Sequence, residues 1–259
     1  MISTTASPRV VVTRPAAQAA EWVARLQAQG IDAEPLPLIA IVAATDAGAL
    51  DRAWASLPSQ RLVIFVSANA VDGFFSARPD ATGWPKATIA AAPGPGTSAA
   101  LRRAGVDTGV IVEPAADAMQ FDSESLWLQL AAWQWAGASA LIVRGDGGRD
   151  WLGERLREAG ARVETVDAYR RAVPCLAPPL RRTLDTLAHD VDAIWLFSSS
   201  QSIDHLEQLA AGASWAGSRA IATHPRIVER ARAAGFGVVR PCGASLAAVV
   251  ACIQSFDRE

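Results

Sequence analysis

The chain has 259 residues, 51% of them apolar, and a formal charge of −2. That length accommodates two domains of common size with a sizeable core, and the near-neutral charge argues against a general nucleic-acid binder while leaving room for a local cationic cleft. Cys175, Cys242 and Cys252 lie far apart without a C-x-x-C pair, which argues against a disulfide framework or structural zinc. Residues 1–8 are polar and no apolar run reaches the ~20 residues of a membrane span, so neither a secretory signal nor a membrane partner is expected, and a cytoplasmic protein is.

In chain order, short apolar or β-branched runs predict strands at 10–13, 35–42, 62–67, 88–92, 110–113, 140–144, 162–169, 193–198, 219–223 and 237–240. Helical spacing fills most of the intervals. Residues 17–29 bring Trp22 and Leu26 onto one face before the stop Gly30, and 151–159 do the same with Leu152 and Leu156 before Gly160. Further helices are expected at 68–75, 97–105, 123–133, 180–187, 202–210, 227–234 and 245–254, with Ser123 and Ser245 as N-caps. Strand alternating with helix implies parallel sheets covered on both faces, an α/β fold.

The pattern repeats. Thr13–Arg14 after one strand corresponds to Arg144–Gly145 after another; the run 62–67 corresponds to 193–198; Thr97–Gly105 corresponds to Thr223–Gly235. Two similar lobes are therefore expected, with a ligand between them. The segments 35–42 and 163–173 carry prolines at an end and read as crossings between lobes. This gives a discontinuous first lobe of 1–38 and 173–259 and an inserted lobe of 39–172. No coiled-coil repeat is present, and a monomer is expected.

In parallel sheets ligands sit beyond the carboxyl ends of the strands, so the strand-to-helix turns carry the chemistry. Here they are 13–16, 67–69, 93–98, 144–150, 198–202 and 223–226, rich in Ser, Thr, Gly and Arg. Helix starts with free N–H groups suit carboxylates or phosphates, though each Ser or Thr taken alone reads as a simple cap. The turn Pro93-Gly94-Pro95-Gly96-Thr97-Ser98 lacks the third glycine of a dinucleotide-binding turn and reads better as a tight turn with a helix cap. No phosphate-binding G-x-x-x-x-G-K-[ST] occurs, and no G-x-S-x-G elbow. His189, His205 and His224 are too scattered to be metal ligands. The turn from Arg144 to Arg149 can curl around an anion, or be a solvated loop; Tyr169, the only tyrosine, can project a hydroxyl into a cleft or pack at a lobe boundary.

Taken together, these turns resemble the uroporphyrinogen-III synthase family. The matching segments are Val11-Val12-Thr13-Arg14-Pro15, Ser67-Ala68-Asn69-Ala70-Val71, Gly94-Pro95-Gly96-Thr97-Ser98-Ala99, Asp122-Ser123-Glu124-Ser125-Leu126 and Arg144-Gly145-Asp146-Gly147-Gly148-Arg149. They continue through Val166-Asp167-Ala168-Tyr169-Arg170-Arg171, Phe197-Ser198-Ser199-Ser200 and Ala222-Thr223-His224-Pro225-Arg226-Ile227, in order over residues 10–254. Pro93 and Pro95 depart from the family pattern. The resemblance implies two flavodoxin-like lobes joined by two extended linker strands. It implies a cofactor-free, metal-free hydro-lyase that closes hydroxymethylbilane, a polycarboxylate linear tetrapyrrole, with inversion of ring D and loss of water. The alternative is a non-catalytic two-lobe protein that binds a polyanionic small molecule. The resemblance further implies Tyr169 as the group assisting hydroxyl departure. It implies Ser67, Thr97, Ser198, Ser199 and Thr223 around the substrate; Asn69, Ser98 and Gly145 of the same turns are expected beside them, and electrostatics adds Arg14, Arg144 and Arg149.

Overall fold

A computed structural model describes residues 8–80, 82–115, 118, 120–147 and 150–256. The strands are β1 (Val10–Val12), β2 (Ala33–Pro35), β3 (Ala40–Ala43), β4 (Leu62–Phe65), β5 (Ile89–Ala91), β6 (Ile111–Val112), β7 (Ser139–Gly145), β8 (Arg162–Ala172), β9 (Ile194–Phe197), β10 (Arg219–Ala222) and β11 (Val238–Pro241). The helices are α1 (Ala16–Gln27), α2 (Ala47–Ser56), α3 (Ala68–Ser76), α4 (Pro95–Arg103), α5 (Ser123–Leu130), α6 (Trp151–Glu158), α7 (Pro178–Leu187), α8 (Ser200–Leu209), α9 (Pro225–Ala233) and α10 (Leu246–Phe256).

The chain divides into two compact units, Met1–Ala40 with Ala172–Glu259, and Ile41–Arg171. The first holds a sheet of order β11-β10-β9-β1-β2, the second one of order β3-β8-β7-β4-β5-β6. Apart from the added edge strand β3, the two orders are the same once β9 is matched to β4 and β1 to β7. The correspondence read from the sequence repeats is therefore a correspondence of strand positions. The pairs within β11 to β2 and within β8 to β6 are parallel.

Alternation along each central strand builds a layer on both faces. In the second unit Val63, Phe65, Leu141 and Val143 pack under α2, α3 and α4, while Leu62, Ile64, Ala140 and Ile142 pack under α5 and α6. In the first unit Val11, Trp195, Phe197, Ala220 and Ala222 lie under α7, α8 and α9, and Val10, Val12, Ile194, Leu196 and Ile221 under α1 and α10. Strands buried on both faces read as unbroken apolar runs such as Leu62–Phe65 and Ile194–Phe197, because neither face meets water. Five of the tryptophans, Trp22, Trp54, Trp135, Trp195 and Trp215, are buried in these layers.

Three sequence expectations are corrected. The run 35–42 is not one strand: β2 stops at Pro35 and β3 starts at Ala40. Pro35 and Pro37 have no N–H to give a ladder. Between them Leu36 N–H still reaches Val12 O at 3.0 Å, and after Pro37 Leu38 N–H reaches Thr13 O at 3.3 Å, so the chain follows β1 without regular pairing. Helix α2 was not anticipated, although its signals are local: Asp46 caps it by accepting from Ala49 N–H at 3.1 Å, and Leu50, Ala53, Trp54 and Leu57 recur at helical spacing. Ser123 is not a cap. Asp122 takes that place and accepts from Ser125 N–H at 2.8 Å. Ser245 does cap, accepting from Ala248 N–H at 3.2 Å. Among the described residues no helix is long and apolar enough to cross a membrane.

Cys242, just past β11, and Cys252 on α10 touch rather than serving as independent fillers. A hydrogen bond from the Cys242 thiol holds Cys252 down, to about 7, helped by Arg240, and pushes Cys242 well up. Iodoacetamide at pH 7 will therefore alkylate Cys252 ahead of Cys242, and Cys242→Ala will slow the Cys252 reaction. Peptide mapping by mass spectrometry checks both; the reverse order refutes the assignment. In the second unit Trp54 is 3% exposed, stacks on Phe74 at 4.7 Å and donates its Nε1–H to Phe74 O at 2.9 Å. Trp54→Ala is expected to destabilise by about 3–5 kcal/mol, read as a lower urea midpoint by circular dichroism.

Candidate functional site

In an open α/β sheet the ligand crevice lies where successive strands depart in opposite directions. In the second unit that point is between β4, which continues to β5, and β7, which continues to β8. A cavity of about 390 Å³ opens there. Ile64, Val66, Ile142, Leu126 and Leu152 form its apolar wall; Arg144, Asp146, Asp150, Ser123, Tyr169 and Arg171 supply polar groups.

Tyr169 reaches this cavity by a register break. β7 and β8 pair regularly from Ser139↔Arg162 to Arg144↔Asp167, but the next pair is Gly145↔Tyr169. Ala168 is the extra residue of a β-bulge, a device that re-aims the side chains after it. Just before the bulge Val166 is buried and Asp167 exposed; after it both Ala168 and Tyr169 are buried. Without the extra residue, position 169 would point as Asp167 does.

Gly145 receives the ring. A Cβ placed on it would lie 2.6 Å from Tyr169 Cζ and 2.8 Å from Cε2, so the phenol occupies the space a side chain would take. Asp146 N–H donates to Tyr169 O at 3.0 Å, and Arg171 N–H donates to Asp146 Oδ1 at 3.2 Å, which clips the turn to the strand. The close approach of α3 is set in the same place, since a Cβ on Gly73 would lie 2.4 Å from Ala168 O. Crossing β7 brings the Tyr169 hydroxyl to 3.2 Å from Ser67 Oγ, at the end of β4. Tyr169 is 3% exposed, and it lines both this cavity and a second one of about 350 Å³ beside Ile41, Leu50 and Gly73.

The other expected residues of this unit fall in three turns. Ser67 is the N-cap of α3, accepting from Ala70 N–H at 3.2 Å, and Asn69 is half-buried in that helix's first turn. Arg144 lines the cavity and is already paired, its Nε 3.2 Å from Asp167 Oδ1 and its Nη1 3.9 Å from Asp150 Oδ1. Thr97 and Ser98 lie in the first turn of α4, which Pro95 opens. Ser98 is fully buried and its hydroxyl is taken up by Glu113, which also holds Arg102 at 2.7 Å. Neither Thr97 nor Ser98 is among the residues lining the 390 Å³ cavity. Arg149 lies outside the described residues.

In the first unit the reversal point between β1 and β9 is closed by Thr13, which is 1% exposed and donates its hydroxyl to Leu196 O at 2.8 Å. The open space lies one strand over, between the ends of β9 and β10, as a cavity of about 430 Å³. Ser198, Ser199 and Thr223 line it together with Ser200, Gln201, His224 and Arg226. Two helix starts, α8 and α9, meet there and present unpaired N–H groups. His224 caps α9 through Nδ1, which accepts from Arg226 N–H at 3.2 Å, whereas the Ser199 hydroxyl makes no cap bond to α8. Arg14 is not part of this lining. Its guanidinium lies 4.3 Å above the Trp22 ring, its buried Nε has no hydrogen-bond partner among the described residues, and burial lowers its pKa.

Sequence reasoning pointed to the turns 144–150, 198–202 and 223–226 but did not name Asp146, Asp150, Arg171 or Ser123 as site residues in one unit, or Gln201 and Arg226 in the other. Arg171 could have been found from Tyr169, since residues two apart share a strand face. Among the described residues no cluster of potential metal ligands is present.

Known proteins share this organisation. The family described as uroporphyrinogen-III synthase HemD matches residues 20–251. The chain is 37% identical over 165 residues to a uroporphyrinogen-III synthase of Salmonella typhimurium, an alignment covering 62% of this chain and 64% of that relative's length. Its fold is similar to uroporphyrinogen-III synthetase from Helicobacter pylori, with a TM-score of 0.60 and 14% identity over 96% of this chain and 99% of that one. A mutant uroporphyrinogen III synthase from Thermus thermophilus gives a TM-score of 0.55 at 17% identity, over 97% and 98% of the two chains. With the family match extending over most of its length, the chain belongs to the uroporphyrinogen-III synthase family.

Proposed function

We propose that this protein is a uroporphyrinogen-III synthase, a cofactor-free hydro-lyase that cyclises hydroxymethylbilane with inversion of ring D. The observation that carries the reading is the seat of Tyr169. A bulge and a glycine hold a phenol against a cavity at the reversal point of its sheet, with a second hydroxyl at 3.2 Å.

The chemistry asks little of the protein. The bond between the terminal carbon and its hydroxyl breaks, the electron pair goes to oxygen, and the Tyr169 phenol supplies the proton that lets water leave. The pyrrole system stabilises the resulting cation. The substituted carbon of ring D attacks it to give a spiro intermediate, which fragments and recloses at the other position; proton loss then restores the aromatic ring. Holding the chain in the conformation that leads to inversion rather than simple closure is a matter of positioning. Substrate carboxylates are assigned to Arg144, Arg149 and Gly145 with the α3 start at Ser67 and Asn69, to the α4 turn at Thr97, and to the α8 and α9 starts at Ser198, Ser199 and Thr223; Ser98, whose hydroxyl Glu113 takes, and Arg14, folded on Trp22, are left out of the set. The cationic or donor character of these groups supports the assignment. The reading extends to a monomer acting in the cytoplasm, where a polycarboxylate substrate stays in water.

Purified protein given fresh hydroxymethylbilane is expected to yield the type III isomer after oxidation. The spontaneous type I isomer alone would remove the assignment. Tyr169→Phe is expected to lower kcat by one to two orders of magnitude, roughly 2 kcal/mol of barrier; unchanged turnover removes Tyr169 from the proton transfer. Gly145→Ala forces the ring from its seat. Overpacking of this kind costs about 1–3 kcal/mol, so the melting temperature and kcat should fall together, and normal values of both would show that the seat does not matter.

A further inference from the structure

The family resemblance places Ser67 among carboxylate-holding helix starts, yet its nearest polar side-chain neighbour is not a cation but the Tyr169 hydroxyl, 3.2 Å away. We propose that Ser67 is a positioning residue that donates its proton to the Tyr169 oxygen, leaving the phenol proton directed into the cavity for the departing hydroxyl. This role rests on the synthase reading and deepens it.

The argument is one of proton inventory. A serine hydroxyl has one proton and two lone pairs. Ser67 adopts the extended backbone of an N-cap, φ −165° and ψ 164°, and commits a lone pair to Ala70 N–H at 3.2 Å. Its proton remains to be given. The Tyr169 ring is fixed over Gly145, so the phenol's main freedom is rotation about its C–O bond. If the phenol donates to Ser67, its proton is spent inside the protein. If Ser67 donates to the phenol, the proton is free to leave, and the oxygen already holds the hydrogen bond that the phenolate will need.

The helix supports this direction. The unpaired N–H groups at the α3 start put partial positive charge behind Ser67 and make its hydroxyl a better donor. During the reaction the C–O bond of the substrate breaks with its pair going to oxygen, the phenol proton passes to that oxygen, and water departs. The phenolate then accepts from Ser67 until the proton lost from the reclosed macrocycle returns to it. Ser67 neither gains nor loses a proton.

The test separates this role from simple capping. Asp is as good an N-cap as Ser, so Ser67→Asp keeps the helix; its carboxylate can only accept, holding the phenol proton and opposing phenolate formation. Ser67→Thr keeps both the cap and the donor. Expected are a wild-type melting temperature and type III product for both. At saturating substrate kcat should be about 10–100-fold lower for Ser67→Asp, and within about threefold of wild type for Ser67→Thr, which keeps the hydroxyl. On a Tyr169→Phe background, Ser67→Asp should cause no further loss of kcat, because the partner through which it acts is gone. An equal loss on both backgrounds, or an unchanged kcat in Ser67→Asp, would overturn the proposal while wild type still makes the type III isomer. Wild type giving type I alone would overturn the function and this role with it.

Discussion

The absent side chain at position 145 is the constraint on which the site depends. Tyr169 belongs to β8 and Ser67 comes just after β4, and β7 lies between them. Neighbouring strands are ~4.8 Å apart, so the span is about 9.6 Å. A tyrosine bridges it by lying across the end of the middle strand, and a Cβ at position 145 would meet the ring. The bulge at Ala168 is the second half of the same device. It turns the ring toward β7, and it does so at the last pairs of the ladder, where losing regular hydrogen bonds disturbs the fewest neighbours. The Asp146 contacts to Tyr169 O and Arg171 N–H recover bonds that the irregular ladder gives up.

The two units share a strand order but not a site, and the difference lies in the turns that leave equivalent strands. After β7 comes Arg144–Gly145, which leaves the reversal point open for the phenol. After β1 comes Thr13–Arg14, and there the threonine hydroxyl binds across to β9 and fills the gap. The first unit therefore offers its space one strand over, where two helix starts and small hydroxyl residues face an opening without a deep reactive group. One copy of the fold holds a tyrosine beside an apolar wall, and the other has two helix starts at its opening. Beside the point that Thr13 seals, the Arg14 guanidinium lies on Trp22 with a buried nitrogen that has no hydrogen-bond partner among the described residues.

Much of the fold was legible because both sheets are parallel and doubly covered. Apolar runs such as Leu62–Phe65 and Ile194–Phe197 leave no other reading, and glycine stops such as Gly30 and Gly160, each with positive φ, mark helix ends. Helix α2 escaped because alanines and Gly48 dilute its apolar stripe, leaving Leu50 and Trp54 to carry the signal. The break in the run 35–42 was signalled by its own prolines and overridden by its apolar character. For the candidate site, residue types at strand ends pointed to the turns after β7, β9 and β10 that line the two cavities. Nothing in the sequence distinguishes Ser98, whose hydroxyl is consumed by Glu113, from Ser199, whose hydroxyl makes no cap bond. Nor does a bulge announce itself, and pure alternation from Val166 predicts position 168, not 169, on the inner face.

The fold likeness to synthases of 14–17% identity across nearly whole chains has a physical reading. A layer of Val, Ile, Leu and Ala under helices accepts many volume-conserving exchanges, so the sheets constrain pattern rather than residue. Constraints on identity arise where geometry admits a single solution. Gly145 is such a position, because only a missing Cβ leaves room for the ring. Gly73 is another, since α3 touches the bulged strand at the Ala168 carbonyl and fixes where the helix start, and with it Ser67, must stand. The bulge, the two glycines and the helix cap thus form one mechanical chain. A change at Gly73 moves the serine, a change at Gly145 moves the phenol, and either alters the 3.2 Å contact between them.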